Sequence, residues 1–458
     1  MMFEKILIAN RGEIALRVVR ACRELDVRSV VVYSDPDADS AAVRLADEAV
    51  RIGPAPAKRS YLSIPAIIEA AAMTGADAIH PGYGFLSEDA DFAEVCQKEG
   101  FTFIGPPAGL LACLGDKATA RELMSQAGVP LLPGTLAPLA DVEEARQAAD
   151  EIGFPLIIKA VAGGGGRGMH VAFGPADLAT AYSRARSDAQ AFFGDSRVFA
   201  ERFLEVARHV EIQILADQQG SVLSLGERDC SVQRRNQKLI EETPAPGLPV
   251  ELLDRMKEAA VTGATRIGYV GAGTFEFLVS PEREFFFMEV NGRIQVEHPV
   301  TELATGIDVV QEQIRVAAGL PLRYQQHEVT PRGVAIECRI NAENPDRDFA
   351  PAPGTLEEFI VPGGPFVRVD THCRTGSKIS PAYDSLLAKL LVWAPDRAMA
   401  IARMRRALEE FRITGRGVYT TAPFLLRVLA DPRFVDATHS TGLVATLVEG
   451  DQSSQLEG

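Results

Sequence analysis

Two glutamates in neighbouring apolar segments are the first residues of this chain whose types and spacing could do chemistry. Residues 273–280 and 284–291 are apolar runs of strand length, so they predict a β-hairpin. A turn centred on residues 282–283 places Glu276 opposite Glu289 on one face of that hairpin. Two carboxylates so close repel each other, and a divalent cation between them removes the repulsion. Oxygen ligands suit Mg²⁺, which completes its shell with water and nucleotide phosphates, so the pair indicates an enzyme that uses Mg²⁺ and ATP.

The polar face of the second strand extends beyond Glu289. Alternation with a period of two puts further polar side chains on the face of Glu289 and turns apolar side chains away from it. The polar residues are Asn291, Arg293, Gln295 and Glu297, and the apolar ones are Val290, Ile294 and Val296. A solvated edge strand would show the same alternation. The position of Glu276 inside an apolar segment favours a binding site instead, because a solvated face has no reason to begin there.

A glycine-rich segment supplies a second element of nucleotide chemistry. The strand predicted at 155–160 contains Lys159 and leads into glycines at 163–166, followed by Arg167 and Gly168. Such a segment lets backbone N–H groups approach phosphate oxygens, and the lysine adds positive charge. It is not a P-loop, whose lysine follows the glycines and precedes a helix. A flexible hairpin is the alternative, but consecutive glycines carry an ordering cost that a structural hairpin does not need.

The elements that position these residues begin with a βαβ unit. A strand at 5–9, an amphipathic helix at 12–25 and a strand at 29–33 predict a parallel sheet. Gly12 alone follows the first strand, so the three-glycine turn of a dinucleotide-binding fold is missing and NAD binding is disfavoured. We divide the chain into an N-terminal parallel-sheet domain, a linker with the glycine-rich lid, a C-terminal region of mixed helices and strands, and a polar tail. Their predicted bounds are 1–116, 117–203, 204–446 and 447–458.

Composition excludes several classes of protein. The chain has 458 residues, enough for about three domains, and 47 basic against 62 acidic side chains give a formal charge of −15. A surface this acidic lacks the positive field that nucleic acid requires. Six cysteines without a C-x-x-C pair predict reduced thiols, and no segment reads as a signal peptide or a membrane span. We expect a soluble cytoplasmic protein that binds neither nucleic acid nor membrane.

Seven segments together resemble the ATP-grasp superfamily, and within it the biotin carboxylases. They follow the family's order and spacing over nearly the whole chain, at Ile8–Ala15, His80–Glu88, Gly115–Lys117, Arg208–Gln213, Glu227–Arg235, Arg293–Glu302 and Glu337–Glu343. The resemblance implies an ATP-grasp fold of α/β and α+β type, with a Rossmann-like N-terminal domain, a mobile glycine-loop lid and a mixed C-terminal domain. It also implies a ligase that carboxylates biotin with ATP and bicarbonate, through carboxyphosphate.

The resemblance implies roles for the residues that match the family's motifs. ATP would be held by Lys117, Lys159, Gly165, Gly166, Glu201, Leu204, His209, Gln233 and Asn236. Two Mg²⁺ or Mn²⁺ ions would be bound by Glu276, Glu289 and Asn291, which agrees with the hairpin pairing. Bicarbonate would be held by Lys238, Arg293 and Val296, with Glu297 as the general base. Arg339 would face the ureido oxygen of biotin, with Tyr83 nearby.

Three sites depart from the family's usual motifs. Asn236 stands where histidine is usual, which predicts the loss of a nucleotide contact and weaker ATP binding. Gly292 stands where threonine is usual and points away from the polar face, so it should soften the strand more than it alters the chemistry. The glycine loop opens with Val161 and Ala162 instead of serine and glycine. Since no position assigned to bond making is changed, we expect an active enzyme.

The resemblance also implies partners. The carrier signature Ala-Met-Lys-Met does not occur in the sequence, so we expect biotin on a separate biotin carboxyl carrier protein, separate carboxyltransferase subunits, and a homodimer of this chain. The reaction would be the first half-reaction of acetyl-CoA carboxylase in fatty acid biosynthesis, or of another acyl-CoA carboxylase. Two alternatives stay open: another ATP-grasp ligase, forming carbamoyl phosphate or a peptide bond, and an inactive regulatory homologue.

Overall fold

The N-terminal part of the protein is a parallel α/β unit, in a computed structural model that describes residues 1–162 and 167–456, with side chains as far as residue 450. Its elements are β1 Lys5–Ile8, α1 Gly12–Glu24, β2 Arg28–Ser34, α2 Ala41–Leu45, β3 Glu48–Gly53, α3 Ile64–Thr74, β4 Ala78–His80, α4 Ala90–Lys98, β5 Thr102–Phe103 and α5 Ala108–Gly115. The strands pair in parallel in the order β3-β2-β1-β4-β5. Ile6 and Leu7 enter separate hydrophobic clusters, because successive side chains of β1 point to opposite, helix-covered faces. The predicted parallel sheet is confirmed.

The lid is a small antiparallel sheet covered by helices. The linker and lid comprise α6 Lys117–Gln126, α7 Val142–Ile152, β6 Leu156–Ala160, β7 Met169–Ala172, α8 Pro175–Phe193 and β8 Val198–Arg202. The sheet order is β7-β6-β8. Ile158, Leu178 and Tyr182 belong to a hydrophobic cluster confined to this unit. Gly165 and Gly166, which were predicted to bind phosphate between β6 and β7, lie outside the described residues.

The rest of the described chain is built around a continuous eight-stranded antiparallel sheet, with helices and three two-stranded sheets beside it. It begins with β9 Arg208–Ala216, β10 Val222–Arg234, β11 Gln237–Thr243, α9 Val250–Arg266, β12 Gly271–Val279, β13 Phe285–Asn291, α10 His298–Thr305 and α11 Val309–Ala317. It continues with β14 Val334–Asn341, β15 Glu343–Asn344, β16 Ala350–Pro351, β17 Gly354–Thr355, β18 Glu358–Ile360, β19 Val367–Thr371, β20 Lys378–Ile379, β21 Leu386–Ala394, α12 Arg397–Glu410, β22 Arg412–Thr414, α13 Ala422–Val428, α14 Pro432–Val435 and α15 Leu443–Leu456. The sheet order is β13-β12-β9-β10-β11-β14-β21-β19, so one sheet spans both halves of the C-terminal region. The tail predicted from residue 447 is helical as far as Leu456.

The predicted hairpin is present, but its turn and its far end differ from the prediction. Glu276 does pair with Glu289, whereas Phe277 pairs with Phe287, so Met288 is an extra residue that forms a β-bulge. Ser280 N–H bonds the carbonyl of Glu284, so the turn has three residues instead of the predicted two. The bulge compensates for the longer turn, which is why the predicted glutamate pairing holds.

The polar row after the hairpin is not one long strand. Strand β13 ends at Asn291, and Glu297 directly precedes helix α10. Gly292 donates its backbone N–H to the side chain of Glu88 instead of to a neighbouring strand, which explains why the ladder stops there. The side chains of 293–297 therefore reach the site from an irregular segment. Within the part of the chain that the structure describes, no helix is both long and apolar enough to cross a membrane.

Candidate active site

A cavity of about 1100 Å³ lies where the parallel α/β unit, the lid and the large antiparallel sheet meet. Residues of all three units line it. Every described residue predicted for the site is among them: Tyr83, Lys117, Lys159, Glu201, Leu204, His209, Gln233, Asn236, Lys238, Glu276, Glu289, Asn291, Arg293, Val296, Glu297 and Arg339. The structure thus brings together side chains that the sequence separates by more than half of the chain.

The paired glutamates of the hairpin face this cavity and are each held by an ammonium group. Lys117 Nζ lies 2.5 Å from Glu289 Oε2, and Lys238 Nζ lies 3.0 Å from Glu276 Oε1. The Asn291 Oδ1 atom accepts a hydrogen bond from Arg293 at 2.9 Å, while its buried Nδ2 has no partner among the described residues. These two carboxylates and the amide oxygen already attract the positive side chains of Lys117, Lys238 and Arg293. Such a set of oxygen ligands fits a divalent cation such as Mg²⁺.

Lys238 is the centre of a cluster of buried carboxylates. Its Nζ lies 2.5 Å from Glu211, 3.0 Å from Glu276 and 2.6 Å from Glu297. Burial alone would lower the pKa of the ammonium group, but these carboxylates outweigh it and keep the Lys238 pKa well above its ordinary value. The lysine is therefore a fixed positive charge in the cavity wall.

Glu297 is a fully buried carboxylate between two cations. One oxygen lies 2.6 Å from Lys238 Nζ and the other 2.9 Å from an Nη atom of Arg339. Burial would raise the carboxyl pKa, but Lys238, Arg339 and Arg228 overcome that effect and hold the Glu297 pKa below its ordinary range. Glu297 is therefore ionised.

Arg339, on β14, is oriented by a second carboxylate. Its Nε lies 2.6 Å from Glu241 Oε1, and Glu241 lies opposite Glu337 on the neighbouring strand. Burial raises the Glu241 pKa to about 7, aided by the charge of Glu297 and opposed by Arg339. The guanidinium group is thus fixed between Glu241 and Glu297 with one side toward the cavity.

Tyr83 reaches the cavity from the segment between β4 and α4. Its hydroxyl donates to Glu13 Oε1 at 2.5 Å, and Lys389 Nζ lies 2.9 Å from the same oxygen. Lys389 also donates to the carbonyl of Val296 at 2.9 Å. This network joins the N-terminal helix α1 to the loop that was predicted to bind bicarbonate.

The lid side of the cavity carries a second lysine and carboxylate pair. Lys159 forms an ion pair with Glu201, which also binds the buried Arg121. His209, which was predicted to help hold ATP, has its Nε2 3.2 Å from Glu276 Oε2, at the cation end of the cavity. Burial lowers the His209 pKa, and Glu276 more than reverses this, so the pKa is raised overall.

Asn236 occupies a tight turn between β10 and β11. Arg234 pairs with Gln237, so Arg235 and Asn236 are the two turn residues, and both have positive φ, 47° and 64°. Hairpin turns of this kind favour asparagine, because its side chain tolerates the left-handed conformation. Asn236, which replaces the histidine usual in the family, thus suits the left-handed backbone of this turn. The sequence alone indicated only the loss of a nucleotide contact.

Leu111 occupies the space that a side chain at position 292 would fill, which only glycine leaves free. A Cβ atom added at Gly292 would lie 2.9 Å from a methyl carbon of Leu111, which belongs to α5. A larger residue here requires Leu111 to move. The glycine therefore lets α5 pack closely against the end of β13.

Sequence reasoning missed four carboxylates that hold the cations of the site, Glu13, Glu88, Glu211 and Glu241. Glu211 had a signal, because polar residues alternate with apolar ones along β9, a strand that is buried almost throughout. Glu88 had only its place at the end of the segment His80–Glu88, since its contacts with Gly292 and Arg293 span more than 200 residues of sequence. Ion pairs between distant segments leave no periodic pattern.

A three-stranded lid and an antiparallel sheet that enclose lysines and paired carboxylates define an ATP-grasp enzyme. The family described as the carbamoyl-phosphate synthase L chain, ATP-binding domain, matches residues 116–325. The biotin carboxylase N-terminal domain matches 2–111, and the biotin carboxylase C-terminal domain matches 337–446. The chain therefore belongs to the biotin carboxylase family.

Individual relatives agree with this assignment. A protein named biotin carboxylase from Nostoc sp. is 53% identical over 444 residues, covering 97% of this chain and 99% of the relative. A pyruvate carboxylase subunit from Methanothermobacter thermautotrophicus is 52% identical, covering 94% of this chain and 88% of the relative. The biotin carboxylase domain dimer of 2-oxoglutarate carboxylase from Hydrogenobacter thermophilus, solved with MgADP, ADP and bicarbonate, has a TM-score of 0.93 and 47% identity. It covers 96% of this chain and 97% of that one.

Proposed function

We propose that this protein is a biotin carboxylase, which uses ATP and bicarbonate to carboxylate biotin presented by a carrier protein. The observation that carries the proposal is the row Lys238, Glu297 and Arg339, in which one buried carboxylate lies between two cations. It shares a cavity with the glutamate pair of the hairpin. This arrangement offers a base, an anion site and a cation site within one enclosure.

The first step is the activation of bicarbonate. Bicarbonate enters beside Lys238 and Arg293 and draws their charge toward itself, so the pKa of Glu297 rises and its carboxylate takes the bicarbonate proton. The freed oxygen attacks the γ-phosphorus of ATP, ADP leaves, and carboxyphosphate forms. Glu276, Glu289 and Asn291 would hold Mg²⁺, which when bound neutralises charge on the phosphate oxygens.

The second step transfers the carboxyl group. Carboxyphosphate breaks down to CO₂ and phosphate, and the lid excludes the water that would otherwise hydrolyse it. The phosphate takes the N1′ proton of biotin, and N1′ then attacks CO₂. Arg339, whose orientation is fixed by Glu241, stabilises the negative charge on the ureido oxygen.

The final acceptor depends on a partner. We assign this chain to the first half-reaction of acetyl-CoA carboxylase or of another acyl-CoA carboxylase, with a carrier protein and carboxyltransferase subunits as partners. The Nostoc and Methanothermobacter relatives are almost equally similar, at 53% and 52% identity, although the latter is a pyruvate carboxylase subunit. The sequence identity of this chain to its relatives therefore does not identify the final acceptor, which we expect the carboxyltransferase to select. Cysteine usage without a C-x-x-C pair supports the cytoplasm as its location.

The protein also has a surface suited to a homodimer. Ile360, Val361 and Phe366 are exposed large apolar residues within seven positions of sequence. Phe366 is 60% exposed and packs against Trp393, with ring centroids 4.9 Å apart. An apolar surface of this kind favours association, and the Hydrogenobacter relative was solved as a dimer. The homodimer is tested by measuring the molar mass in solution of the wild type and of Phe366→Ala. The dimer of the variant should dissociate more readily.

A carbamoyl-phosphate-forming or peptide-bond-forming ligase is the alternative function. The ATP-binding region matches a family named for carbamoyl-phosphate synthase, but both flanking regions match biotin carboxylase domains. ADP release with bicarbonate, measured with and without free biotin, separates the two functions. Biotin should stimulate ADP release and yield carboxybiotin. ADP release that biotin does not change would refute the proposed function, and Glu297→Gln is the inactive control.

A further inference from the structure

Glu88 of the parallel α/β unit binds the segment that carries Arg293. Its Oε1 accepts the backbone N–H of Gly292 at 2.9 Å, and its Oε2 accepts Arg293 Nε at 2.8 Å. One carboxylate thus fixes the backbone of Gly292 and the side chain of the next residue, Arg293. No other described residue binds Arg293 through a carboxylate.

The segment that presents Glu88 is itself rigid. Ser87 N–H bonds the carbonyl of Gly84, and Asp89 N–H bonds the carbonyl of Leu86. The Asp89 side chain then caps helix α4 by accepting the N–H of Phe92 at 2.8 Å. Glu88 therefore lies on a tight turn fixed to a helix, so its carboxylate is a fixed reference point for Arg293.

The contacts of Arg293 show what this fixation achieves. A guanidinium group has five N–H donors in one plane. Besides Nε to Glu88, one Nη donates to Asn291 Oδ1 at 2.9 Å and the other to the carbonyl of Ile294 at 3.3 Å. Among the described residues this leaves two N–H groups, one on each Nη, for an anion in the cavity. The plane in which they lie is set by Glu88.

We propose that Glu88 is a positioning residue for bicarbonate binding, which acts by orienting Arg293; this rests on the proposed function. Bicarbonate is small and planar, so its binding depends on the angle at which the guanidinium group meets it. Nucleotide binding does not depend on Glu88 in this way, because Lys117 and Lys159 have other partners.

Position and charge act in opposite directions here, and the variants separate them. Removing a negative charge near an anion site favours bicarbonate, but Glu88 is 41% exposed, so solvent weakens this effect. Loss of orientation opposes binding and should dominate. Glu88→Ala removes both acceptor oxygens, whereas Glu88→Gln keeps one of them, so Gln should have an intermediate effect.

The experiment compares Michaelis constants in biotin-dependent ADP release. Glu88→Ala should raise the KM for bicarbonate about tenfold or more, as expected for a misplaced binding group, with the KM for ATP within about twofold of wild type. The matched control is Glu94→Ala, which removes an exposed glutamate of α4 that pairs with Lys98 on the surface of the same helix. It should leave both constants unchanged.

A double-mutant cycle distinguishes positioning from a structural role. In an Arg293→Gln background, Glu88→Ala should change kcat/KM for bicarbonate by less than about twofold, because the guanidinium group that Glu88 orients is absent and the remaining contact, to the Gly292 N–H, does not orient an anion-binding group. An equal effect in both backgrounds, or an unchanged KM for bicarbonate in Glu88→Ala, overturns the proposal. If Glu88→Ala does not fold, Glu88→Gln is measured in the same cycle. Absence of biotin-stimulated ADP release in the wild type would instead refute the proposed function.

Discussion

Replacing Glu289 by glutamine tests whether the cation site and the nucleotide site share one ion pair. Lys117 Nζ lies 2.5 Å from Glu289 Oε2, so the lysine assigned to phosphate neutralises a carboxylate assigned to the cation. A phosphate that draws Lys117 away leaves Glu289 without a counter-charge unless Mg²⁺ binds with it. Glu289→Gln removes that charge and keeps the shape of the side chain. We therefore expect metal-free ADP to bind this variant more tightly than the wild type, although a cation ligand has been lost.

The exposure of the pair sets the size of the effect. The side chains of Lys117 and Glu289 are 23% and 28% exposed, so solvent screens part of their attraction. A partly exposed ion pair contributes about 1 kcal/mol, which corresponds to about a fivefold lower Kd for metal-free ADP. With Mg²⁺ the sign reverses, because an anionic ligand is missing, and the Kd for Mg–ADP should rise at least about tenfold.

Isothermal titration calorimetry with ADP, in EDTA and in excess Mg²⁺, measures both constants. The control is the double variant Lys117→Gln/Glu289→Gln, in which the metal-free gain should disappear because no lysine is released. A metal-free Kd for Glu289→Gln equal to or higher than that of the wild type would refute the exchange of partners.

Three further predictions concern other parts of the site. Glu297→Gln should abolish both bicarbonate-dependent ADP release and carboxybiotin formation. Arg339→Gln should lower the rate of carboxybiotin formation about a hundredfold or more and keep a slow bicarbonate-dependent ATPase. Parallel assays that show equal losses of both activities in Arg339→Gln would contradict this division. Asn236→His should lower the free energy of unfolding by about 1 kcal/mol in urea titration, because histidine tolerates the positive φ of 64° less well than asparagine does. If histidine restores a nucleotide contact, the KM for ATP should fall in the same variant. Burial raises the folded pKa of Glu241 from 4.5 to about 7, so this carboxyl should contribute a loss of stability as pH rises through that interval. Unfolding of Glu241→Gln measured across it should show a smaller loss than the wild type, since Glu337 on the neighbouring strand also has a raised pKa.

The parts of the site that follow one strand could be predicted from sequence. The pairing of Glu276 with Glu289 depends on alternation and a short turn, both of which are visible in the residues. The extra residue at Met288 could not be predicted, because a bulge depends on how Phe287 packs in the core. The end of the strand at Asn291 also depends on a distant partner, Glu88.

The conformation of single residues was equally hard to read from the sequence. Asn236 was interpreted only as a missing nucleotide contact, although the structure shows it in a turn that favours asparagine. The roles assigned to the nucleotide residues stay predictions. Their convergence on one cavity follows from the fold, which joins β11 to β14 in one sheet. A β-bulge at Leu239 then turns Lys238 to the face of Arg339.

The bulge at Met288 decides which sides of the hairpin Phe287 and Glu289 face. In a regular strand, Phe287 and Glu289 would point to the same side, but here Phe287 joins the hydrophobic core while Glu289 lines the cavity. A regular strand that kept Met288 would retain every proposed functional residue and still turn one of these two side chains to the wrong side. Losing the bulge without losing a residue would therefore leave an intact set of motifs and still remove either a carboxylate from the cavity or an aromatic ring from the core.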